Sequence, residues 1–108
     1  MKGTIEKQHR ILSIIKAEIN QYKSVAEHVN KVGMDAYLEH GDWTLLVTLK
    51  DVISAIDFDT EYEDEKLRRH HQDEIVKADS IIKKNMNEKQ LKKLIELNPD
   101  LPIKNWFW

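Results

Sequence analysis

The sequence predicts an all-α fold, an antiparallel bundle of three main helices, and three observations lead there. Apolar residues recur every third or fourth position over long stretches. Only 3 glycines and 2 prolines interrupt 108 residues, 33% of them charged. The one stretch that alternates in strand fashion, Trp43, Leu45, Val47 and Leu49, finds no second strand to pair with.

The longest periodic stretch, Thr4 to Val32, is the first main helix (about 4–32). Ile5, Gln8, Leu12, Ile15, Ile19, Tyr22, Ala26 and Val29 share one face, and Ile11, Val25 and Val32 widen it. Thr4 is placed to cap its start and Gly33 to end it in a left-handed conformation, giving a rod of roughly 42 Å. A short accessory helix (about 35–40) follows, with Asp35 as its cap and Gly41 as its stop. Asp42 then caps the second main helix (about 43–58), whose Leu45, Leu46, Leu49, Val52, Ile53 and Ile56 cover an arc of roughly 120°.

Thr60-Glu61-Tyr62-Glu63 matches a capping box, so the third main helix is expected over about 61–84, with Leu67, His71, Ile75, Ala78 and Ile82 inward and Glu74 and Ile81 flanking them. Asn87 with Gln90 forms a second capping box, and Met86 is placed to staple Leu91, starting a short accessory helix (about 88–97). Asn98-Pro99-Asp100-Leu101-Pro102 ends it and predicts an extended tail closing on Trp106, Phe107 and Trp108. No linker or repeat divides the chain, so residues 1–108 are read as a single helical domain.

Composition narrows the chemistry. The absence of cysteine excludes disulfides, cysteine-ligated zinc and iron–sulfur sites. No apolar leader or bilayer-length run is present, so the chain is expected to be soluble, unprocessed and cytoplasmic, with no membrane contact. Lys, Ile and Asn supply 32 of 108 residues, a bias typical of AT-rich genomes such as those of low-GC bacteria and their phages. The net charge of −2 conceals a split: residues 1–65 carry 7 basic and 13 acidic side chains, residues 66–108 carry 10 and 6.

Four groups of residues bear on function. The acidic run Asp57, Asp59, Glu61, Glu63, Asp64, Glu65 fails as a calcium loop, because Tyr62 and Arg68 stand where glycine and glutamate are required. Acids there serve the start of a helix; mimicry of a nucleic-acid backbone is the alternative. His70, His71 and Glu74 have the residue types and spacing of a metal or general-base site, yet need a further ligand from His9, His28, His40 or Asp42. The plainer reading makes His71 a core histidine hydrogen-bonded by Glu74 or by backbone. Lys83, Lys84, Lys89, Lys92 and Lys93 form a basic cluster at the last helix junction, suited to nucleic acid but lacking the Arg, Asn and Gln of a base reader. Trp106, Phe107 and Trp108 either fold back or anchor a partner.

The function this predicts is a small non-enzymatic protein-interaction module, an adaptor or inhibitor of the kind carried by phages and mobile elements, with no cofactor and no catalytic residues. Nucleic-acid binding through the lysines is the alternative, and a metal-dependent hydrolase the third. A homodimer through the first helix and the aromatic tail is expected as well, because so long an apolar seam exceeds what the rest of the chain covers.

Overall fold

The computed structural model describes residues 2–41 and 43–107, with side chains from Ile11 onward. All regular structure among them is helical: α1 Lys2–Val32, α2 Met34–His40, α3 Trp43–Ser54, α4 Phe58–Glu61, α5 Glu65–Lys84, α6 Glu88–Leu97 and α7 Ile103–Phe107. No helix among these residues is long and apolar enough to cross a membrane.

The α1 seam forms the centre of the core. Ile19, Tyr22, Ala26 and Val29 are fully buried and Ile15 and Val25 nearly so, while Ile11 and Leu12 pack at the edge. Contacts with α5 rise together along both helices: Lys23 reaches Glu74 and Asn30 reaches Asn85, so α1 and α5 run parallel. The α5 stripe is as expected, with His71, Ile75, Ala78 and Ile82 buried and Leu67 and Ile81 half-buried. On α3, Lys50 approaches the Tyr22 ring and pairs with Asp79, tying this helix to both others.

Several boundaries differ from the sequence expectation, each for a local reason. Helix α1 begins at Lys2, ahead of Thr4. Gly33 has φ 86 and ψ 155, a positive φ but an extended rather than left-handed ψ, so it turns the chain at once into α2. Asp35 therefore sits inside the first turn of α2 instead of capping it, and its carboxylate accepts from Gln90 Nε2 at 2.7 Å. Gly41 closes α2 through its N–H to Tyr37 O at 2.8 Å, and a Cβ there would lie 2.6 Å from the Tyr37 ring. The cap expected at Asp42 lies outside the described residues.

Two of the main helices are shorter than expected. The second stops at Ser54, not near 58, and the third starts at Glu65, not 61. Between them Asp57 caps α4, accepting from the Thr60 N–H at 3.2 Å and the Thr60 Oγ1 at 2.7 Å. Thr60 is thus the donor to a cap and not itself one. Asp64 caps α5 by accepting from the N–H groups of Lys66 and Leu67. Two caps seven residues apart start two helices where one had been expected. The Val52 side chain, expected inside, is 44% exposed, and Val47 and Lys50 are buried in the same helix.

Beyond α5 the Asn87/Gln90 capping box forms as expected, with Met86 and Leu91 both buried. Gln90 uses both ends of its amide: Oε1 accepts from Asn87 N at 2.7 Å while Nε2 donates to Asp35. The tail is not extended. Pro102, whose fixed φ suits a helix start, accepts from the N–H groups of Asn105 and Trp106 and opens α7. Ile103 and Phe107 then dock into the core.

Candidate functional site

Residues that chemistry would use gather at three places. The first lies at the corner where α3, α5 and α7 meet. Lys50, only 7% exposed, falls between Leu46 and Ile53 on the buried arc of α3, so its ammonium is largely withdrawn from water and needs a partner. It donates to both carboxylate oxygens of Asp79 at 2.8 Å, and the Tyr22 hydroxyl donates to Asp79 Oδ1. The Lys50 Nζ lies 5.6 Å from the Tyr22 ring centroid and 5.9 Å from that of Phe107, within cation–π range of two faces. Burial, then the charge of Asp79 and the hydrogen bond to it, push the Tyr22 phenol pKa far up, so it remains a donor.

Outside this pair the surface opens into a depression of about 240 Å³ lined by Val76, Asp79, Ser80, Lys83, Asn105, Trp106 and Phe107. Val76 is 60% exposed, the most exposed large apolar side chain among the described residues. Trp106 is half-buried and meets Phe107 edge to face at 6.3 Å. Phe107 belongs to the core, so of the three aromatics proposed from sequence as a partner anchor, Trp106 packs against the core with part of its surface left at the depression, and Trp108 lies outside the described residues.

The second place surrounds His71. Its Nδ1 is hydrogen-bonded to the Tyr62 hydroxyl, not to Glu74 or backbone. Phe58 stacks on Tyr62 at 5.4 Å, and in this way α4 is fastened onto α5. Burial lowers the His71 pKa, with the Glu74 charge opposing and His70 and Lys16 assisting. Burial pushes the Tyr62 phenol up to about 12, helped by the Glu74 charge. Glu74 is held between Lys23 at 3.1 Å and His70 Nε2 at 3.2 Å. Burial works against its charge, but Lys23 and then the two histidines outweigh that and lower its pKa. His70 and Glu74 thus meet as their spacing suggests, whereas His71 turns the other way. Among the described residues no group of three or more His, Asp or Glu side chains is placed to hold a metal ion.

The third place is the basic cluster. Lys83, Lys84, Lys89, Lys92 and Lys93 are all exposed. Lys89, Lys92 and Lys93 line one side of an open groove of about 730 Å³ between α2 and α6, and Asp35, Glu39 and Glu96 share its lining. A phosphate backbone entering there would meet carboxylates as well as lysines.

The chain matches no family model, no curated protein and no solved structure. Sequence reasoning missed the Lys50–Asp79–Tyr22 group and the Tyr62 partner of His71. One signal was available: Lys50 stands three and four residues from Leu49's neighbours Ile53 and Leu46, a lysine inside an apolar stripe. Asp79, beside Ala78 and between Ile75 and Ile82, carries the same mark.

Proposed function

We propose that this chain is a non-enzymatic protein-interaction module, an adaptor or inhibitor, and that it binds through the corner formed by α5 and α7. The observation that carries the reading is the α5–α7 depression. A half-buried tryptophan and an exposed valine flank a small set of polar groups, Asp79, Ser80, Lys83 and Asn105. Binding hot spots are built this way, from an aromatic anchor beside polar groups that fix register. Beneath it, the Lys50–Asp79 pair and the buried Ile103 and Phe107 hold the surface rigid, which lowers the entropy lost on binding.

Nucleic-acid binding through Lys83, Lys84, Lys89, Lys92 and Lys93 is the weaker reading, since carboxylates share the groove that three of these lysines line. The two separate in one experiment. Tagged protein is recovered from the cells that make it, as wild type and as Trp106→Ala and Lys89→Glu/Lys92→Glu/Lys93→Glu variants. The expected result is a protein partner lost in Trp106→Ala and kept in the lysine variant. Recovery of nucleic acid that depends on the lysines would overturn it.

A further inference from the structure

The groove between α1 and the first half of α5 holds an imidazole of which the fold uses only one nitrogen. His71 is 3% exposed, and its Nδ1 is taken by the Tyr62 hydroxyl. Tyr62 is buried as well, and among the described residues its hydroxyl has no other acceptor. With its phenol pKa pushed up to about 12, Tyr62 keeps its proton and donates it to Nδ1. The imidazole, which burial keeps neutral, then carries its own hydrogen on Nε2. That second nitrogen has no partner among the described residues, yet it is not sealed off, because Arg68 Nε is the one buried side-chain polar atom among them that lacks a hydrogen bond. It opens onto a depression of about 250 Å³ lined by Leu12, Ser13 and Lys16 of α1 and by Leu67 and His71 of α5.

The lining sorts by chemistry. Leu12 and Leu67 are half-buried, packed against the core on their inner sides. Lys16 is exposed and near enough for its charge to weigh against protonation of His71, yet it forms no ion pair with a described residue. Ser13 adds an exposed hydroxyl. Glu74, the carboxylate whose charge also reaches His71, is held by Lys23 at 3.1 Å and by His70 at 3.2 Å, and it is not part of the lining. Three donors, one of them cationic, thus converge beside two apolar side chains with no carboxylate among the lining residues. At about 250 Å³ the space falls below the roughly 300–1,000 Å³ of sites for drug-sized molecules, so its occupant is small. We propose that this groove binds a small carboxylic acid with a short branched apolar group, the carboxylate taking the Lys16 ammonium, the His71 Nε2–H and the Ser13 hydroxyl, and the hydrocarbon lying between Leu12 and Leu67. The site is separate from the α5–α7 corner and does not depend on the reading given to that surface.

Proton–nitrogen NMR of the histidine rings in the full chain at pH 7 tests this, with isovalerate as the probe and isovaleramide and inorganic phosphate as comparisons. The expected result is a free protein whose His71 carries its proton on Nε2, with ring signals that move saturably as isovalerate is added to millimolar concentration. The His71 pKa should rise when the site is filled, because a carboxylate at Nε2 favours the imidazolium. Lys16→Gln changes an exposed side chain, so the fold stays intact, and it should weaken isovalerate by roughly tenfold, the worth of one hydrogen bond between charged groups. Isovaleramide, of the same shape but uncharged, should be weakened at least as much. A His71 proton on Nδ1, ring signals indifferent to isovalerate, equal binding of the amide, or full affinity in Lys16→Gln would each overturn the site. Phosphate bound as tightly as isovalerate would overturn the assignment of an apolar acid, since Leu12 and Leu67 would then contribute nothing.

Discussion

Helix α5 carries two buried polar clusters built from the same parts, and they have opposite electrical characters. At each, a tyrosine hydroxyl from another segment meets an α5 side chain: Tyr22 meets Asp79, and Tyr62 meets His71. The Asp79 cluster is built on a salt bridge, a carboxylate bonded through both oxygens to the Lys50 Nζ. The His71 cluster is kept neutral, because burial disfavours the imidazolium. A salt bridge therefore holds α5 to α1 and α3, and an uncharged hydrogen bond holds it to the end of α4. The first should break by losing a partner and the second by gaining a proton.

The largest effect is expected from Lys50→Met, which strands the Asp79 carboxylate. Breaking a buried pair costs about 3–5 kcal/mol. The lower end applies, since the Asp79 side chain is 25% exposed. Denaturant titration should also show Lys50→Met/Asp79→Leu recovering most of that loss. A single variant as stable as wild type would show that the pair holds nothing.

An intermediate effect separates the two tyrosines. Tyr22→Phe removes a donor to a charged acceptor, worth about 1.5–3 kcal/mol, and Tyr62→Phe a donor to a neutral one, worth about 1 kcal/mol. Equal losses would contradict the assignment of one cluster as ionised and the other as neutral.

The smallest effect is the pH dependence. The folded His71 pKa lies below its usual 6.5, so below that value the unfolded chain binds more protons than the folded one. The stability His71 contributes is complete above the unfolded value and drains away as pH falls through the interval down to the folded one. Melting temperature should accordingly drop between pH 7 and 5, at ~4–8 °C per kcal/mol in a chain of this size, and His71→Phe should flatten the slope. Glu74, whose folded pKa is lowered, loses its contribution only as pH falls past its usual 4.5, outside this interval. A slope unchanged in His71→Phe would assign it elsewhere.

The two clusters also mark what the sequence could and could not disclose. Features closed within a turn or two were legible: the α5 stripe from Leu67 to Ile82 and the Asn87/Gln90 box both depend on neighbours three or four residues away. The break at residues 55–64 was misjudged because two local signals competed. Thr60 matched a capping pattern, yet Asp57 and Asp64 took the caps and made Thr60 a donor. Lys50 and Asp79 showed only as charges inside apolar stripes, and their pairing was illegible for a different reason. A buried lysine is tolerable only with a partner, and that partner lies 29 residues away on a helix whose rotation the pattern does not specify. The same holds for the tail. Its aromatic residues announced a contact, but that Ile103 and Phe107 would be buried and Trp106 only half-buried follows from the short helix Pro102 begins.

The parallel pairing of α1 with α5 has a consequence for how the chain is made. Synthesis proceeds from N- to C-terminus, so α1 emerges while α5, with which it makes its most extensive contact, is still unmade. Helices α2 and α3 can cover part of the seam formed by Ile15, Ile19, Tyr22, Ala26 and Val29, but the part that α5 covers stays open until α5, which ends at Lys84, has left the ribosome. At about 5–20 residues per second the wait from the end of α1 is roughly 3–10 s. Throughout that interval the nascent chain carries a long amphipathic segment whose α5-facing side is unoccupied, open to chaperones or to the same segment on a neighbouring nascent chain.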